Sequence, residues 1–198
     1  MAIRNVVQVG DDVLRQKCKV VENFDEKLHQ LLEDMKDTVK KEQGAGLAAP
    51  QVGLLHRLAV VDVEEGYFEL INPVIIQQKG EQTGWEGCLS VRGKSGIVSR
   101  PMKVTLSYQD RFGEKHVLKA KGFFARAICH ELDHLDGVLY IDKASHIENN
   151  YHDGDTSHFH VVAPCALVTY VYVRSLRRTH NALNCSYLRR FKDCVGVI

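Results

Sequence analysis

The chain has 198 residues, enough for one sizeable core, and 44% hydrophobic with 26% charged residues is ordinary for a soluble globular protein. A formal charge of +1 gives no reason to expect a broad nucleic-acid or anionic-membrane surface. No apolar run approaches a membrane span, and Met1-Ala2-Ile3-Arg4-Asn5 lacks the pattern of a signal peptide, so the cytoplasm is the expected location. The six cysteines are irregularly spaced, which fits reduced thiols better than a disulfide framework. Cys18 and Cys129 read as small core residues.

From Phe24 to Val39, Leu28, Leu31, Leu32, Met35 and Val39 recur at spacings of three and four, predicting an amphipathic helix that Asp25 can cap. A Gly-rich segment follows, Gly44-Ala45-Gly46-Leu47-Ala48-Ala49-Pro50-Gln51-Val52-Gly53. It lacks the Gly-Lys-Ser/Thr of a phosphate loop. Strands are predicted over Arg57–Val63, Phe68–Ile71 and Val74–Gln78, the last two separated by Asn72-Pro73. Met102–Tyr108 and His116–Ala120 read as a hairpin around a turn at Asp110–Gly113. An apolar helix is predicted from Gly122 to Leu135, closed by Gly137. The fold class expected is α+β, with antiparallel sheets packed around that helix.

The character changes after Ala144. Glutamate disappears after Glu148, and the basic residues after Tyr151 are five arginines and one lysine. The apolar run Val161–Val173 is too short to span a membrane and reads as a strand or buried segment. Residues 145–198 are therefore expected to be an atypical C-terminal extension of unknown role, following a first domain over 1–144.

The chemistry is concentrated in His130-Glu131-Leu132-Asp133-His134, a His-Glu-x-x-His pattern inside the apolar helix. Residues four apart share one helix face, so both imidazoles can address one metal ion. A carboxylate beside the first of them is placed to take a proton from a water that the metal polarises. Two protease patterns remain incomplete. The longer one requires a third histidine where Tyr140 stands. The other requires a downstream glutamate on a helix, and Glu148 lies in a polar stretch without helical signal. An upstream thiol, Cys88 in Glu86-Gly87-Cys88-Leu89-Ser90, completes a three-ligand set better. Glu86 and Arg126 are a possible supporting ion pair.

Three motifs in this order, Gly44–Gln51, Glu86–Ser90 and His130–His134, together resemble the peptide deformylase family, over about Met1 to Lys143. The resemblance implies a hydrolase that removes the formyl group from the N-terminal formyl-methionine of new bacterial or organellar polypeptides. It implies Cys88, His130 and His134 as ligands of one divalent ion, Fe²⁺ first, with Zn²⁺, Ni²⁺ or Co²⁺ as alternatives. It assigns Glu131 to proton transfer, and the Gln51 amide and Leu89 backbone N–H to the oxyanion. Gly44 and Gly46 permit close approach of an extended peptide pairing as an added strand. Phe123 and Ala127, one helical turn apart, are the expected walls of a methionine pocket.

The expected partners are formyl-methionyl nascent peptides and, as an extension of that reading, the ribosome near its exit tunnel. Neither a membrane nor sequence-specific nucleic acid is expected. Arg92-Gly93 departs from the family, which often has proline after the Ser-Val pair. A metal-dependent endopeptidase and a non-catalytic metal-binding module stand as alternatives.

Overall fold

A computed structural model describes residues 2–150. The expected extension, including Val161–Val173, lies outside the described residues apart from its first few. Among the described residues, two α-helices, α1 (Glu26–Glu42) and α2 (Gly122–Leu135), accompany eight strands. The strands are β1 (Gly46–Ala48), β2 (Leu58–Val63), β3 (Gly66–Lys79), β4 (Gln82–Cys88), β5 (Val91–Arg100), β6 (Lys103–Gln109), β7 (Lys115–Lys121) and β8 (His146–Asn149). They form one antiparallel sheet in the order β1-β2-β3-β6-β7 and a second in the order β4-β5-β8. The architecture is α+β, as the patterning predicts.

Helix α1 starts where Asp25 Oδ1 accepts the backbone N–H groups of Lys27 and Leu28, satisfying two of the donors that a helix start leaves unpaired. Its apolar stripe, Leu28, Leu31, Leu32, Met35 and Val39, packs with Leu58, Val60 and Ile71 on one face of the larger sheet. The opposite face presents Val61, Leu70, Val104, Leu106 and Ala120 to α2, which contributes Phe124, Ala127, Ile128 and Leu132. Helix α2 is thus buried along most of its length. Just past its cap residue Asp136 comes Gly137, whose φ of 75° suits glycine and where a Cβ would lie 2.6 Å from the Arg15 carbonyl oxygen.

Phe68–Ile71 and Val74–Gln78 form one strand, β3, not two. The chain passes Asn72-Pro73 by a local irregularity: Asn72 adopts φ 51°, and the pairing to β6 shifts register between Ile71 and Val74. The Asn72 side chain supports this conformation. Its Oδ1 accepts from Val21 N, and its Nδ2 donates to Val21 O and Gln109 Oε1, each at 2.8 Å. Beyond the expected 144/145 boundary, β8 pairs with β5. Cys18, Cys88 and Cys129 are free thiols and buried. No described helix is long and apolar enough to cross a membrane.

The amino-terminal arm crosses three sequence-distant segments. Val7 N donates to Gln51 O, Val9 N to Ser90 O, Gln8 Nε2 to Leu89 O, and Cys18 N to Leu135 O.

Candidate metal centre

The α2 backbone sets His130 and His134 one turn apart, their rings 5.1 Å apart at 71°. Strand β4 ends at Cys88, where its register with β5 shifts and the strand leaves the ladder. The Gly-rich segment becomes β1 followed by a 3-10 turn, Ala49–Val52, which carries Gln51. These elements bring one ligand atom each from Cys88, His130 and His134 to within 4.8 Å of one another. Cys88 Sγ lies 3.2 Å from His134 Nε2 and also receives contacts from Ser90 N at 3.4 Å and Gln51 Nε2 at 3.5 Å.

The donor set fits a divalent cation. One thiolate and two imidazoles suit several first-row ions, and none is chosen by the ligand types alone. His130 Nε2 is buried without a protein partner, while its Nδ1 is engaged by Glu86 Oε2 at 2.9 Å. That second contact fixes the ring and leaves Nε2 directed at the cluster. Burial pushes the Cys88 thiol up to about 12, and a cation beside the sulfur supplies the charge needed to hold a thiolate.

Glu86 is the hub beneath the ligands and is fully buried. Arg100 donates to it from Nε and Nη2, both at 2.9 Å, and Arg126 Nη1 donates at 2.8 Å. With His130 Nδ1, the carboxylate has four polar contacts from three residues. Burial alone would raise its pKa, but the bonds from Arg100 and His130 outweigh that and hold it well below the usual carboxylate range. Arg100 continues the network to Asp133, which Lys143 Nζ reaches at 2.7 Å. The Glu86–Arg126 pair is read in the sequence; Arg100 is not, because its contact depends on how β5 lies against β4.

Glu131 has a different environment. It is 0% exposed, and neither carboxylate oxygen has a protein partner. Burial and the Glu86 charge push its pKa well above the ordinary value. Gly46 lies against it, and a Cβ there would stand 2.4 Å from Glu131 Oε1. Gly46→Ala is therefore expected to displace this carboxylate and slow turnover on the order of 10²-fold with metal content retained. Rate and metal measurements on the purified variant check this; wild-type turnover would refute the contact's importance.

The remaining expected residues lie around this centre. Gln51 is buried, its Oε1 accepts from Ala48 N at 2.7 Å, and its Nε2 consequently faces Cys88. Leu89 follows Cys88 directly, and a Cβ on Gly44 would meet Leu89 Cδ1 at 2.9 Å. Phe123 is 36% exposed at the start of α2, whereas Ala127 is fully buried in the helix–sheet core. Tyr140, standing where the longer protease pattern has histidine, stacks on His130 with ring centroids 5.9 Å apart.

Residues 3–150 match the family described as polypeptide deformylase. The chain belongs to the polypeptide deformylase family. It is 54% identical over 143 residues to a peptide deformylase of Caldicellulosiruptor bescii, covering 72% of this chain and 86% of that one. It is 48% identical over 150 residues to peptide deformylase 1 of Clostridium acetobutylicum, covering 76% and 100%. Among solved structures, the Thermotoga maritima peptide deformylase superposes with a TM-score of 0.72 at 38% identity, covering 74% of this chain and 100% of that one. The Legionella pneumophila peptide deformylase gives 0.71 at 41% identity, covering 73% and 87%.

Proposed function

We propose that this protein hydrolyses the N-formyl group of formyl-methionine at the amino terminus of newly made polypeptides, releasing formate. The observation that carries the reading is the convergence of Cys88, His130 and His134 beside a buried carboxylate, Glu131, whose oxygens have no protein partner. In this reading Cys88, His130 and His134 hold one divalent ion, Fe²⁺ in the native protein, with Zn²⁺, Ni²⁺ or Co²⁺ able to replace it. When bound, the ion supplies Lewis-acid polarisation and lowers the pKa of water.

Glu131 takes the proton of the attacking water as the new C–O bond forms at the formyl carbon. It returns that proton to the amine nitrogen as the C–N bond breaks, leaving formate and a free amino terminus. The Gln51 side-chain amide and the Leu89 backbone N–H donate to the oxyanion. The peptide lies extended along Gly44–Gly46, where the lack of side chains permits main-chain pairing that is tolerant of sequence. Phe123, at the partly exposed start of α2, flanks the methionine side chain, with Ala127 packed behind it in the helix–sheet core. The setting of this chemistry is the bacterial cytoplasm, on chains leaving the ribosomal exit tunnel.

Loaded anaerobically with Fe²⁺ or Ni²⁺, the purified protein is expected to release formate from formyl-methionyl peptides and to leave internal peptide bonds intact. Intact formyl-peptide in the presence of a filled metal site would overturn the reading. Internal cleavage without formate would select an endopeptidase instead.

A further inference from the structure

The larger sheet is covered unequally. Val104, Leu106 and Ala120 face α2, so their neighbours Lys103, Thr105, Lys119 and Lys121 occupy the opposite face. On that face α1 packs against β1 and β2. The β6–β7 end lies beyond it, and its lysines are exposed.

Pairing register makes this end strongly basic. Lys79 is directly opposite Lys103, and Lys103 directly opposite Lys121, forming a row across three adjacent strands. Gln77, Thr105 and Lys119 form the next row. Adjacent strands are ~4.8 Å apart, and like charges placed directly opposite one another destabilise a sheet. Among the described residues, the lysines engaged in ion pairs are Lys36 and Lys143, so none of these four is neutralised.

We propose that this face binds the phosphate backbone of structured RNA without reading its sequence. Closely spaced ammonium groups gain affinity from a polyanion by releasing its condensed counterions, and occupation relieves their mutual repulsion. Thr105 and Gln77 add the hydroxyl and amide donors that contact phosphate and sugar oxygens. The two rows contain no tryptophan or tyrosine of the kind that seats a protein in a lipid headgroup layer. The face lies outside the catalytic cluster, so the proposal does not depend on the deformylase reading.

The test is fluorescence anisotropy of the full chain with a labelled RNA duplex of mixed sequence, titrated at several salt concentrations. The triple variant Lys79→Gln, Lys103→Gln, Lys121→Gln is expected to bind roughly tenfold or more weakly. Its log–log salt slope should be shallower by roughly 2.7, the counterion release of three phosphate contacts. Substituting arginine at the same three positions should retain binding. Formate release from a small formyl-peptide should be unchanged in all variants. Equal RNA binding by wild type and the glutamine variant would overturn the proposal. So would lysine-dependent binding to phosphatidylserine vesicles without RNA binding, or competition by inorganic phosphate at concentrations matched in phosphate to the duplex.

Discussion

Glu131→Gln is expected to slow formate release by ~10²–10⁴-fold, the range over which a positioned acid–base group contributes, while metal content stays at the wild-type level. The substitution preserves size and shape at a site with 0% exposure, so the fold should survive and the loss should appear in the chemical step. The amide cannot accept a proton and release it again, which removes both halves of the proposed transfer. Because neither oxygen of Glu131 has a protein partner, the change breaks no hydrogen bond within the described residues. Single-turnover rates with metal analysis and a thermal melt check this. A variant that turns over near the wild-type rate would assign proton transfer to another group.

Glu86→Ala is expected to have the largest effect on stability. It leaves Arg100 and Arg126, with side-chain exposures of 3% and 6%, without their shared carboxylate. Breaking a buried pair in this way typically costs ~3–5 kcal/mol. For a chain of this length that corresponds to a fall in melting temperature of roughly 6–20 °C. His130 also loses the acceptor for Nδ1, so metal affinity should fall by roughly 10–100-fold. Denaturant titration and a metal-competition assay separate the two consequences; an unchanged denaturation midpoint would show that the network does not stabilise the fold.

The pH dependence of that contribution follows from the lowered Glu86 pKa. The native state favours the ionised carboxylate, so its contribution is complete above the ordinary glutamate value near ~4.3. It is lost as acidification below that value carries the pH toward the depressed native pKa.

The helices were the most legible part of the fold. The apolar repeat of α1 and its Asp25 cap, and the apolar run carrying His130 and His134, are local patterns with a period of their own. Strands β4 and β5 were less legible because Gly84, Gly87, Gly93 and Gly96 interrupt the alternation by which a half-buried strand is read. Their reason lies in tertiary contact. A Cβ on Gly96 would meet Ala144 Cβ at 2.9 Å and His146 O at 3.0 Å, so this glycine admits β8. The same limit applies to the metal centre: the histidine spacing advertises a helix face, but nothing local indicates that Arg100 reaches Glu86 from a neighbouring strand. Asn72-Pro73 misled for the converse reason, since a turn-like dipeptide is held inside β3 by Val21 and Gln109.

The amino-terminal arm has a consequence for the order of assembly. Its anchors on Gln51, Leu89, Ser90 and Leu135 span the Gly-rich segment, the cysteine strand and the end of the histidine helix. The arm precedes in the chain every segment it docks on, and its farthest docking point exists only once Leu135 has been made. Fastening it closes a loop of more than a hundred residues, an entropic cost that grows slowly with length but is met only once the later contacts exist. The arm's first residues can thus join α1, where Asp34 accepts from Ala2 N and Thr38 from Arg4 N, long before its bond to Leu135 can fasten it to the end of the histidine helix.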